Sequence, residues 1–105
     1  MPYAHISHAP SSTLAAYRSV EADLGDDAPD GLLLTILGAD DTGLHVIDLW
    51  ESKGHADRFA AERLLPAFTR TGRGPDADAT YASFDTTQIT VNGSFATFGG
   101  ETPGA

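Results

Sequence analysis

Hydrophobic residues concentrate in two runs of strand length, Leu32 to Leu37 (LLLTIL) and Leu44 to Trp50 (LHVIDLW). A strand with one solvated face alternates apolar and polar residues, whereas a run apolar on both parities is buried on both faces. Both runs are of the second kind. Their polar exceptions are Thr35 in the first and His45 and Asp48 in the second. Those residues ask for an explanation.

The rest of the pattern places these runs in a simple order. Tyr3 to Ala9 (YAHISHA) reads as a first strand closed by Pro10. Ser11 and Ser12 are N-cap residues for a helix in which Leu14, Tyr17, Val20 and Leu24 recur at helical spacing. Gly25-Asp26-Asp27 ends that helix, and Pro29-Asp30-Gly31 turns into the first apolar run. Gly38 to Gly43 is the short turn that makes the two apolar strands an antiparallel hairpin. Ser52 caps a second helix carrying Ala56, Phe59, Ala60, Leu64, Ala67 and Phe68, with Pro66 expected to end or kink it near Leu64. After a loop from Thr71 to Asp78, Thr80 to Phe84 is a fourth strand. Gln88 to Val91 and Ser94 to Phe98 flank Asn92-Gly93, a strong hairpin dipeptide.

The order β-α-β-β-α-β predicts an α+β, ferredoxin-like domain. Residues 1–98 form that single domain with an extra C-terminal hairpin, and Gly99 to Ala105 read as a flexible tail. Two helices cover one face of such a sheet, yet the central strands are apolar on both. The cheapest cover for the second face is another copy of the same sheet. The expectation is a homodimer in which two sheets close into a barrel-like core.

Composition narrows the function. The formal charge of −9 over 105 residues, with Lys53 the only lysine, disfavours nucleic acid and anionic membrane surfaces as partners. The absence of Cys removes disulfides, zinc–thiolate sites and thiol catalysis. The N-terminus lacks the basic and apolar regions of a signal peptide, and no segment reaches membrane-spanning length, so the expected location is the cytoplasm.

The run Gly43 to Ser52 (GLHVIDLWES), followed by Phe59 and by Leu64-Leu65-Pro66-Ala67-Phe68, resembles small proteins of the dimeric α/β-barrel superfamily. Within it, the chain is most similar to the antibiotic-biosynthesis-monooxygenase type, over roughly Tyr3 to Phe84. The Asn-Gly hairpin and Gly-rich tail depart from that pattern, in which a simple final strand ends the fold. The resemblance implies a family that includes cofactor-free oxygenases converting aromatic polyketide anthrones to quinones. Polyketide cyclases, haem-degrading enzymes, muconolactone-type isomerases and proteins of no known activity share the same architecture, and fold alone does not choose among them.

Several residues could carry chemistry. Trp50 is either a core or interface residue or the aromatic wall of a ligand pocket, and Phe59 is a second candidate wall. Tyr17 is a pocket donor or a core tyrosine. Asp48, inside an apolar strand, is a carboxylate that burial would push toward neutral-pH basicity, unless Arg58 or Arg63 satisfies it structurally. Thr35 could orient a ligand carbonyl. A two- or four-residue loop puts Thr35 and Asp48 on one face with Leu33, Val46 and Trp50. A three-residue loop ending in Gly43 separates them, placing Thr35 with His45 and Ile47. His5 and His8 are candidate general bases, but their opposite parity keeps them from sharing one pocket. His55 falls in the first turn of the second helix, where it is expected to be solvated. No histidine spacing makes a metal pair, and no Gly-rich phosphate loop or Gly-x-Ser-x-Gly elbow is present, so neither metal nor cofactor is expected.

The expected function is cofactor-independent oxygenation of a hydrophobic aromatic or polyketide-like substrate in secondary metabolism. The alternatives are a cyclase or isomerase moving protons in the same pocket, and a non-catalytic small-molecule-binding dimer.

Overall fold

The protein is seen as a computed structural model that describes residues 1–73, 76–91 and the backbone of 94–97. Its elements are β1 (Tyr3–Ala9), α1 (Leu14–Leu24), β2 (Leu32–Asp40), β3 (Gly43–Trp50), α2 (Lys53–Phe59), a π-turn (Ala60–Leu64), α3 (Leu65–Thr71), β4 (Thr80–Asp85), β5 (Gln88–Val91) and β6 (Ser94–Thr97). The first four strands form one antiparallel sheet in the order β2-β3-β1-β4, and β5 pairs with β6 in a separate ribbon. With α1 and the α2–α3 rod, this is the ferredoxin-like order expected from the sequence. The Asn92-Gly93 turn and the tail from Gly99 lie outside the described residues.

Pleating divides the sheet residues between two faces. Leu44, Val46 and Trp50 of β3 are 5%, 8% and 3% exposed beneath the helices, each burial worth about 1.5–3 kcal/mol. Val20 of α1 and Ala67 of α3 complete this core from above. The alternate residues face the other way. Leu34, Ile36, Ile47 and Phe84 are 47%, 52%, 37% and 52% exposed on a face that no helix among the described residues covers.

Three local features differ in part from the sequence reading. Thr13, not Ser11 or Ser12, caps α1, its Oγ1 accepting from Ala16 N at 3.1 Å. Pro10 and Ser11 are spent on a turn closed by Ser12 N donating to Ala9 O. The hairpin strands continue through Gly38–Asp40, leaving a two-residue loop, Asp41-Thr42, between paired Asp40 and Gly43. The regular helix is interrupted near Leu64, as Pro66 suggests, but by a widened turn after which helix resumes at Leu65 rather than by an end. Proline has no N–H and crowds the carbonyl four residues back. The rod widens just before it, Leu65 N reaching Ala60 O in an i→i+5 bond.

Candidate functional site

The two-residue loop fixes the register that the sequence left open. Thr35 stands directly opposite Asp48, and Asp48 directly opposite His5, which in turn faces Ser83. Ser83, His5, Asp48 and Thr35 therefore form a polar row across all four strands on the helix side of the sheet, half-buried at His5 and Asp48 and exposed at its two ends, Ser83 and Thr35. At about 4.8 Å per strand the row spans about 14 Å. On one side runs Tyr3, Trp50 and Leu32; on the other, Tyr81, Ser7 and Val46.

Between this floor and the helices lies a cavity of about 940 Å³. Tyr17 of α1 closes it from above, and Phe59 and Arg63 from the second helical rod. Trp50 and Phe59 stand 5.2 Å apart between ring centroids, and the Arg63 guanidinium lies 5.7 Å over the Phe59 ring. One wall is thus a stack of cation and aromatic rings, and the floor beside it is polar.

Asp48 is the electrostatic centre of the site. Burial raises its pKa above the ordinary carboxylate value, while the hydrogen bond from Thr35 Oγ1 at 2.8 Å and the nearby His5 pull it partly back. Neither Arg58 nor Arg63 satisfies it: Arg58 bonds Asp30, and Arg63 bonds the Leu24 and Asp27 carbonyls. Burial, then the charges of Asp48 and Glu21, raise the Tyr17 phenol, which stays protonated as a donor. The His5 ring tilts against Tyr81 at 5.6 Å.

Not every candidate residue reaches this cavity. His8 and His45 lie on the open face, their rings stacked at 4.4 Å and 4°. There His8 Nε2 donates to Thr42 O, and His45 Nε2 to Asp40 Oδ1. The physical reason is parity: each is an odd number of residues from His5 or Asp48 along its strand. Leu33 is displaced by a β-bulge between Leu32 and Leu34, so Leu32 takes the place beside Trp50. His55 is half-buried rather than solvated, its Nδ1 2.7 Å from Ser52 Oγ. The sequence reading passed over Ser7, Tyr81 and Ser83. Ser7 shares the parity of His5 and could have been found from that alone, but the β4 residues needed the cross-strand register.

No protein-family model matches the chain. No curated protein matches it either. Solved structures do. Rv0793 from Mycobacterium tuberculosis is 19% identical, with TM-score 0.55 over 81% of this chain and 94% of its own. A single-residue variant of SnoaB, a cofactor-independent oxygenase from Streptomyces nogalater, is 14% identical, with TM-score 0.58 over 84% of this chain and 94% of its own. A candidate antibiotic biosynthesis monooxygenase from Deinococcus radiodurans is 16% identical, with TM-score 0.57 over 88% and 97%. The fold is that of the antibiotic-biosynthesis-monooxygenase-like proteins. At these identities the likeness to the monooxygenase-like proteins speaks for architecture, and any chemistry rests on the cavity itself.

Proposed function

We propose that the protein is a cofactor-independent, monooxygenase-like enzyme acting on a hydrophobic aromatic or polyketide-like substrate, and that it works as a homodimer. The observation that carries the reading is Asp48: a carboxyl whose pKa burial raises, on the polar floor of a large cavity with an aromatic wall. That SnoaB, an oxygenase without a cofactor, shares the fold supports it.

The chemistry follows from placement. A phenol or anthrone laid against Trp50 and Phe59 presents its acidic proton to Asp48, the general base. The resulting anion is stabilised by the Tyr17 hydroxyl and, on the floor, by Thr35 and His5. An electron-rich anion of this kind passes one electron to O₂, giving a substrate radical and superoxide. Their recombination forms a peroxide that loses water to leave the quinone. One oxygen atom enters the product, the other leaves as water, and the reducing electrons come from the substrate.

The open face supports the dimer. Leu34, Ile36, Ile47 and Phe84 make an apolar surface that water would solvate poorly, and a two-fold copy of the same sheet covers it without new sequence.

The test is oxygen uptake with chelator present and no added cofactor, over a panel of anthrones, naphthols and polyketide-like phenols. The expected result is uptake matched by a product carrying new oxygen. A rearranged product of unchanged mass, formed equally under nitrogen, would replace this reading with a cyclase or isomerase. Tight binding without turnover would reduce it to a binding protein.

A further inference from the structure

The cavity is closed on one side by a short connection rather than by a helix. Gly25, Asp26, Asp27, Ala28 and Pro29, between α1 and β2, form part of its lining. We propose that the segment Gly25–Gly31 is a lid on the cavity, hinged at its two terminal glycines and latched by Arg58 and Arg63. The inference rests on the cavity being the ligand site, but it does not depend on the reaction performed there.

The hinges are visible in the backbone. Gly25 has φ +87° and Gly31 φ +82°, both in the region that favours glycine. They differ in their surroundings. A Cβ at Gly25 would meet open space, whereas one at Gly31 would run into the His55 ring. Gly25 is thus the freer hinge, and Gly31 the seated one, its carbonyl also accepting from Glu51 N at 2.8 Å. Lids commonly pivot on such element-terminal residues.

The latch comes from the facing helical rod. Arg63 Nη2 donates to Leu24 O, the last residue of α1, at 2.8 Å and to Asp27 O in the middle of the lid at 3.4 Å, tying the lid to the helix end beside its hinge. Arg58 Nη1 donates to Asp30 Oδ2 at 3.2 Å, holding the far end. Behind the hinge, Arg70 Nη2 anchors α1 itself through Asp23 at 2.6 Å. In a regular α-helix a residue five positions beyond Arg58 sits about 140° round the axis. The wider π-turn at Ala60–Leu64 swings Arg63 back toward the face of Arg58, and Arg70 follows seven residues on, about two α-turns. The three guanidinium groups therefore grip one side. The π-turn just before Pro66 gains a purpose in this arrangement: it aligns the latch.

The latch is built to release. Asp30 and Arg58 are 79% and 53% exposed, and such a pair is weak and salt-screened. Arg63 holds the lid through carbonyl oxygens alone and so can let go without stranding a buried carboxylate.

Hydrogen exchange of the amides of residues 25–31 tests the proposal without any substrate, alongside the rate at which a fluorescent naphthol enters the cavity. Asp30→Asn and Arg63→Gln should each speed exchange in this segment by about threefold or more while the sheet amides are unchanged. In Asp30→Asn, whose side chain does not line the cavity, naphthol association and dissociation should accelerate together, leaving affinity nearly constant. High salt should mimic Asp30→Asn in the natural protein and add little to that variant. Should Arg63→Gln fail to fold, Asp30→Asn and the salt series decide alone. Unchanged exchange in Asp30→Asn and under salt, or exchange that speeds up equally throughout the sheet, would overturn the lid. Failure of oxygen uptake would leave it standing.

Discussion

The two faces of the sheet are made by the same strands and do opposite things. Beneath the helices, β1 and β3 present His5 and Asp48 to a cavity; one residue along, they present Ile6 and Ile47 to the open face. The covered face keeps polar groups where a fold would ordinarily place apolar ones, and accepts the cost of a carboxyl pushed away from its charged form. The open face keeps apolar groups where water would ordinarily touch polar ones. Each face breaks a rule of folding. The first breach suits chemistry and the second suits association.

The largest expected effect breaks the covered face. Asp48→Asn should lower turnover by about a hundredfold or more, since it removes the proposed base and keeps the shape. Stability should move the other way. The folded carboxyl has a raised pKa, so its contribution is fully present below the ordinary value of 3.8 and is lost as pH rises through the folded midpoint. At neutral pH the asparagine variant should therefore melt higher than the natural protein, with the gain vanishing in acid. Thermal melts across pH check this.

The open face should break next. Ile36→Glu places a charge opposite Ile47 and should weaken dimerisation by about 30-fold or more, read as a fall in sedimenting mass at fixed concentration. The circular dichroism of the separated chain should keep its sheet signature. Unchanged mass would remove the dimer from the account.

Smaller and sharper is the contrast between two histidines three residues apart. His5→Gln should lower kcat/KM by about tenfold through loss of a floor contact to the substrate anion. His8→Gln should leave it within about twofold. Equal losses would mean that the faces are not functionally separate.

The smallest effect belongs to the turn end of the open face. Hydrogen bonds from Thr42, and then from His45, lower the Asp40 carboxyl to about 2. Its stabilising contribution is thus present above the ordinary value of 3.8 and lost as pH falls through about 2. Asp40→Asn should cost a slight fall in melting temperature at mildly acidic pH and none in strong acid.

Much of this contrast was legible in the sequence. Two apolar runs, a short loop and capped helices were enough for the strand order and for the surplus apolar face. The parity of His5 and His8 separated them without a structure. What the sequence withheld was register. Asp-Asp-Thr-Gly suits more than one hairpin geometry, so whether Thr35 meets Asp48 depended on a loop length that local chemistry leaves undecided. The bulge that moves Leu33 out and Leu32 in has no composition mark at all. Ser83 and Tyr81 are ordinary strand residues until β4 is paired with β1. Pro66 announced a disturbance in the helix, but a proline can end, kink or widen a rod, and only packing decides which.

The measurement that tests the central claim most directly is a carbon-13 titration of the Asp48 side-chain carboxyl. The account predicts a midpoint above the ordinary 3.8, because burial outweighs the Thr35 and His5 contributions. In Thr35→Val, which removes the hydrogen bond donated at 2.8 Å, the midpoint should rise further. A midpoint at or below 3.8, or one indifferent to Thr35, would contradict the assignment of Asp48 as the base on which the covered face depends.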